Sequence, residues 1–162
     1  MKTLFIMRHA KSSWDDASVS DFERPLNRRG LKAAPFMGEL MRSKDLVPDV
    51  IVSSTAMRTR QTAELVKDAG GFEAEIEFHK RIYEASTQDL LGAIVELSDK
   101  LDTAMLVGHN PGMEGFVWFL TGQLKPMRTA ALAVIELNVE SWSDIDHGFG
   151  ELKSVFHPKD EM

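Results

Sequence analysis

Arg8-His9, Arg58 and His109 are the residues of this 162-residue chain whose types and settings could do chemistry together. Arg8-His9 ends the apolar run Leu4 to Met7, and His109 ends the run Thr103-Ala104-Met105-Leu106-Val107-Gly108. Arg58 lies four residues beyond a third run, Asp49-Val50-Ile51-Val52-Ser53-Ser54. Short apolar runs bounded by polar residues read as strands buried on both faces. Residues just past the carboxyl ends of such strands sit where open α/β sheets hold their ligands. Two arginines and two histidines gathered there make an anion site, because guanidinium forks and free helix N–H groups favour phosphate. A neutral histidine is also a covalent nucleophile, and Arg8 and Arg58 disfavour the imidazolium of His9. A passive phosphate-binding site would need the arginines but not both histidines.

The elements that must position these residues alternate along the chain. After the first strand, Lys11 to Arg29 is polar and irregular, a long connection at the mouth of a sheet. A helix is expected over roughly residues 28 to 43, with Leu31, Ala34, Met37 or Gly38, and Met41 on its inner face. Pro35 inside it predicts a kink or a late start. The second strand runs into a helix from about Thr55 to Ala69, with Ser54 as N-cap and Gly70-Gly71 as the stop. Arg58, Thr62, Leu65, Val66 and Ala69 share one face of that helix at offsets of 4, 7, 8 and 11. Arg60 falls on the opposite face with Glu64, Lys67 and Asp68, which places Arg58 inward and Arg60 in solvent. An inward arginine is costly to bury without an anionic partner.

A shorter strand over Glu75 to Phe78 is followed by a capping box, Ser86-Thr87-Gln88-Asp89, opening a helix to about Ser98. After the Thr103–Gly108 strand, Asn110 is expected to cap a helix with Pro111 in its first position. Met113, Phe116 or Val117, and Leu120 face its core. Ala131 to Leu137 and Glu151 to Phe156 are two closing strands, joined by a polar connection containing Trp142. The alternation predicts an α/β fold in three layers, a mostly parallel sheet with helices on both faces, as one domain over residues 1–162.

Composition narrows the chemistry. Cysteine is absent, which removes disulfides, zinc–thiolate sites and cysteine-based phosphatase chemistry. A net charge of −6 argues against a general nucleic-acid binder. No apolar stretch approaches transmembrane length and the amino terminus lacks a signal-peptide core, so a soluble cytoplasmic protein is expected. His79, His147 and His157 show no ligand spacing, and the neighbours of His9 and His109 are cationic, so no metal is expected.

Three segments together carry a family resemblance. Arg8-His9-Ala10 with Lys11-Ser12-Ser13-Trp14, the run Ser54-Thr-Ala-Met-Arg58-Thr-Arg-Gln-Thr-Ala63, and Gly108-His109-Asn-Pro-Gly112 resemble the histidine phosphatase superfamily, whose fold is phosphoglycerate-mutase-like. Asp21-Phe-Glu-Arg-Pro-Leu-Asn-Arg-Arg-Gly30 and Tyr83-Glu-Ala85 are similar to the SixA-type phosphohistidine phosphatases within it. The resemblance covers nearly the whole chain, with Ala10 where the family motif usually has Gly and Asp15 where many relatives carry a phosphate-contacting Asn. It implies cofactor-free phosphoryl transfer in which His9 becomes phosphohistidine and Arg8, Arg58 and His109 hold the phosphoryl oxygens. Some relatives place an acid directly after the second histidine, where this chain has Asn110. Others place a Glu after the third strand, which makes Glu84 the candidate general acid, or else an exposed loop residue. Arg24 is a candidate substrate contact, whereas Arg28 and Arg29 read as surface charge.

The functions in play are a phosphatase for phosphohistidine on a protein, a phosphomonoesterase for small metabolites, and an inactive phosphopeptide-binding module. A mutase is disfavoured because the chain lacks room for lid segments that keep water from an intermediate. Arg58→Ala should lower kcat/KM for a phosphorylated substrate by ~100-fold or more, the scale of losing one transition-state charge donor. Arg60→Ala should change it little, and equal losses in the two variants would refute the assignment of faces.

Overall fold

Six strands form one sheet in the order β3-β2-β4-β1-β5-β6, in a computed structural model that describes residues 1–162. The strands are β1 (Lys2–Arg8), β2 (Val50–Ser54), β3 (Glu75–His79), β4 (Thr103–Gly108), β5 (Leu132–Leu137) and β6 (Gly150–Phe156). The helices are α1 (Arg28–Ser43), α2 (Met57–Gly70), α3 (Thr87–Val95), α4 (Gly112–Thr121) and a terminal turn α5 (Pro158–Glu161). Strands β3, β2, β4 and β1 pair in parallel, while β5 runs antiparallel to both β1 and β6. The sheet is therefore mixed, with its parallel part carrying the strand ends of interest. Antiparallel pairing suits the end of the chain, where no crossover helix separates β5 from β6.

Alternation along the central strands builds the three layers. Phe5 and Met7 of β1, Ile51 of β2 and Met105 and Val107 of β4 pack with Ala34, Met37 and Met41 of α1 and with Ala63 and Val66 of α2. The intervening residues Leu4, Ile6, Val52 and Leu106 pack on the other face with Leu90 and Ile94 of α3 and with Phe116 and Val117 of α4. Both strand faces are thus covered, as the continuous apolar runs require.

Several local expectations are corrected. The inner stripe of α1 is Gly30, Ala34, Met37, Gly38 and Met41, and Leu31 is 48% exposed. Gly30 takes the inward position because a Cβ there would collide with the Lys11 carbonyl oxygen. The helix begins at Arg28, capped by Asn27 Oδ1 accepting from the Gly30 N–H at 2.9 Å, and continues through Pro35 without a late start. Helix α2 starts at Met57 with no side-chain cap, so Ser54 is not its N-cap. Helix α4 starts at Gly112 with Pro111 in the cap position, one residue later than the sequence suggests. The Ser86–Asp89 capping box is present as expected, although α3 ends at Val95. Trp142, placed in a polar connection, is fully buried, with its indole N–H donating to the Leu101 carbonyl at 2.8 Å.

Candidate active site

Adjacent parallel strands β1 and β4 are in register at Arg8 and Gly108, so the next residue of each, His9 and His109, emerges side by side. The His9 N–H donates to the Gly108 carbonyl at 2.9 Å, and the two rings lie 5.4 Å apart. From this point the chain after β1 leads to α1, on the face it shares with α2, whereas the chain after β4 leads to α4 on the opposite face. The divergence opens a crevice at the strand ends, the usual ligand position in sheets of this kind.

His9 is buried, and its Nδ1 lies 2.7 Å from the Ala10 carbonyl oxygen. A carbonyl only accepts, so Nδ1 carries the proton and Nε2 keeps its lone pair in the neutral ring. Burial pushes the His9 pKa down to about 4, reinforced by the charges of Arg58, Arg8 and Arg24 and opposed by the Ala10 hydrogen bond. The arginines alone were expected to keep the ring neutral; desolvation is the larger cause. Burial likewise pushes His109 down to about 3, with Arg58 adding to it. Ala10 itself is fully buried, and its N–H donates to Thr62 Oγ1 at 3.0 Å. Thr62 in turn donates to the Arg58 carbonyl at 2.7 Å, which ties the His9 loop to α2.

Arg58 is buried on the inner face of α2, while Arg60 lies outside the site with its guanidinium 4.1 Å from the centre of the Phe78 ring. The anionic partner that a buried arginine demands is supplied by the chain itself. Arg58 Nη2 donates to Asp21 Oδ2 at 3.1 Å, and Nη1 donates to the Asp21 carbonyl at 2.7 Å. Asp21 also accepts from Arg24 Nη2 at 3.0 Å and from the Tyr83 hydroxyl at 2.6 Å. The Tyr83 hydrogen bond, with the two arginines behind it, holds the Asp21 carboxyl well below the usual carboxylate range. The same bond pushes the Tyr83 phenol up to about 12, so it remains a donor. Arg24 is buried, bonds to Ser12 Oγ and stacks 3.7 Å from the centre of the Trp14 ring.

The long connection after β1 is a structured strap. Ser12 and Leu26 bridge its base, and the Phe22 carbonyl accepts the first N–H of α2, from Met57, at 2.9 Å. That contact replaces the side-chain cap expected from Ser54. Ser54 is used differently: its Oγ lies 2.8 Å from His109 Nε2.

Arg8 donates from Nη1 to the Met127 carbonyl at 3.0 Å, and burial draws its pKa down while Glu114 opposes. Asn110 bonds to the Glu114 carboxylate and, at 3.0 Å, to the Met127 carbonyl. Glu84 has a left-handed backbone (φ 52°), is exposed, and makes no side-chain hydrogen bond. It lines a cleft of about 370 Å³ with Asp21, Arg58, His109 and Asn110. Asp15 is exposed and lies outside that cleft. Arg8 Nε, Arg24 Nε, Arg58 Nε and His109 Nδ1 are four of only six buried side-chain polar atoms without a partner in the chain, so unmet hydrogen-bonding capacity concentrates here. No three His, Asp or Glu side chains converge as a metal-ligand set.

The structure thus brings His9, Arg8, Arg58, His109 and Arg24 together and sets Glu84 at the rim. Sequence reasoning missed Asp21, Tyr83, Ser54, Thr62 and Glu114 as members of the site. Asp21 and Tyr83 lie in irregular segments with no period to orient them, whereas the Arg58–Thr62 spacing was a readable signal for Thr62.

Residues 4–113 match the model of the histidine phosphatase superfamily (branch 1), and the chain belongs to that superfamily. A solved structure from Nakamurella multipartitia, provisionally assigned as phosphohistidine phosphatase SixA, superposes with a TM-score of 0.86 at 28% identity, over 97% of this chain and 96% of its own. The protein histidine phosphatase SixA in complex with tungstate has the same fold, with a TM-score of 0.86 at 22% identity over 99% of both chains. An uncharacterised chloroplastic protein of Arabidopsis thaliana is 32% identical over 152 residues, 88% of this chain and 70% of its own length. No helix of the chain is long and apolar enough to cross a membrane.

The lowered histidine pKa values can be tested without substrate. Ring resonances of His9 and His109 in the free protein should titrate below about pH 5, since burial favours the neutral form of both. Bound inorganic phosphate should raise both midpoints by supplying a negative charge. Midpoints near the ordinary histidine value in the free protein would contradict the electrostatic description.

Proposed function

We propose that the protein is a phosphatase that removes the phosphoryl group from phosphohistidine carried on a protein, through a covalent intermediate on His9. The observation that carries this reading is the orientation of His9: its Nδ1 is held by the Ala10 carbonyl, its ring is neutral, and Nε2 is left as nucleophile among three arginines. In the first step the Nε2 lone pair forms a bond to phosphorus while the phosphorus–nitrogen bond of the substrate breaks. The departing imidazole nitrogen takes a proton from solvent or from an acid at the rim. Water then attacks phosphorus, the bond to Nε2 breaks and inorganic phosphate leaves. Arg8, Arg58 and His109 stabilise the charge redistributed over the non-bridging oxygens, and Arg24 adds a further positive charge beside His9.

Substrate choice follows from the acid side of the site. Asn110 cannot donate a proton to an alkoxide, Glu114 is engaged by Asn110, and Glu84 stands exposed without an anchoring hydrogen bond. An alkyl phosphate needs a positioned acid, whose contribution is typically about 10²–10⁴-fold. A phosphoimidazole needs far less help, because its leaving nitrogen is readily protonated. Transfer from one imidazole to another also exchanges like bonds, so the first step is close to balanced in free energy. The likeness to SixA proteins supports the same reading.

Hydrolysis of a phosphohistidine peptide should therefore exceed that of an aryl phosphate, and both should exceed that of sugar phosphates. Glu84→Gln should impair the alkyl esters more than the phosphohistidine peptide. Efficient turnover of a sugar phosphate or phosphoglycerate, with none of phosphohistidine, would promote a metabolite phosphatase in its place.

A further inference from the structure

A second concave site lies on the other flank of the His9 loop, between the start of α1 and the terminal turn. It encloses about 450 Å³, and its lining includes Lys11, Arg29, Lys32, Arg128, Lys159 and His157 but no Asp or Glu. The five Lys and Arg side chains are exposed, and none makes a hydrogen bond or ion pair within the chain. Asp160 and Glu161, on the same terminal turn, do not line it. In a chain of net charge −6, five of the 19 Lys and Arg residues therefore converge on one pocket that no Asp or Glu side chain lines. The His157 Nδ1 is buried there without a partner.

The pocket is coupled to the strand end that bears His9. Lys11 is two residues past His9, a separation of no more than about 7 Å along the chain. On the opposite wall, the Ala130 N–H, next to Arg128 and Thr129, donates to the His9 carbonyl at 2.9 Å. A groove lined by Lys11, Trp14, Arg28 and Arg29, with Asp15 as its one acidic residue, shares Lys11 and Arg29 with the pocket. Trp14 in that groove is 77% exposed and carries Arg24, whose charge acts on His9, against its ring. The basic surface thus begins at Lys11, two residues past His9, and extends to Lys32 on α1 and Lys159 on the terminal turn.

We propose that this basic pocket docks an acidic segment of the phosphoprotein substrate, flanking the phosphohistidine delivered to His9. The inference rests on the phosphohistidine reading and adds to it the charge of the partner. Rim charges of this kind steer encounter and register and lose their effect as salt screens them.

Two synthetic phosphohistidine peptides test it, one flanked by Asp and Glu and the other by Ser and Ala. At low ionic strength the wild-type protein should prefer the acidic peptide by about tenfold in kcat/KM, chiefly through KM, with the preference shrinking as salt rises. Lys32→Glu combined with Lys159→Glu should abolish the preference, and Lys32→Ser with Lys159→Ser should weaken it. Hydrolysis of p-nitrophenyl phosphate should stay unchanged in both, which controls for folding. Equal rates on the two peptides, or a preference that survives charge reversal, would overturn the docking assignment while leaving the function intact. Cleavage of neither peptide alongside rapid hydrolysis of a sugar phosphate would remove both. Stronger competition by an oligonucleotide than by the unphosphorylated acidic peptide would also overturn it.

Discussion

The parallel pairing of β1 with β4 is the constraint on which the site depends. Its register places Arg8 opposite Gly108, and the two histidines that follow inherit that alignment. Because the chain then departs to opposite faces of the sheet, both imidazoles stand at the floor of the resulting crevice. Gly108 leaves room for α4 rather than for β1: the space a Cβ would take there is filled by the flexible end of the Met113 side chain. A slip of one residue in this pairing would turn the side chains of β1 to the wrong faces and separate His9 from His109.

Electrostatics imposes the second requirement. Arg24 and Arg58 are both buried, and burial of a cation is expensive unless it is paired and hydrogen-bonded. Asp21 satisfies both at once and recruits Tyr83, so one carboxylate on a surface strap fixes two guanidinium groups and a phenol. The histidines meet the same environment in the opposite way, by remaining neutral. Fixed cations thus stand beside neutral imidazoles, an arrangement in which the proposed nucleophile and the proposed oxyanion stabilisers coexist without neutralising one another. The Ala10–Thr62–Arg58 chain of hydrogen bonds couples the His9 loop to the helix that carries Arg58.

Much of this was legible in the sequence because it is local. The apolar runs at β1, β2 and β4 and the inward face of Arg58 follow from side-chain periodicity, and the Ser86–Asp89 capping box from a four-residue pattern. Leu31 misled because Gly30, with no side chain to count, occupies the inner position one residue earlier. Ser54 carries a capping residue type but ends a strand and meets His109 across β2 and β4, a tertiary contact that no local pattern encodes. Asp21 belongs to an irregular strap whose course is set by its contacts with α2. Tyr83 joins it from 62 residues away. The antiparallel run of β5 and the burial of Trp142 are likewise outcomes of packing, since neither leaves a periodic signal.

Acceptance of the phosphoryl group by His9 is read out by trapping the intermediate. A reaction with a labelled phosphohistidine peptide, quenched within the first turnover and digested under neutral conditions, should carry acid-labile phosphate on His9. His9→Ala should carry none, although it should still bind phosphate through the remaining arginines and His109. Label on any other residue, or full turnover by His9→Ala, would contradict the account.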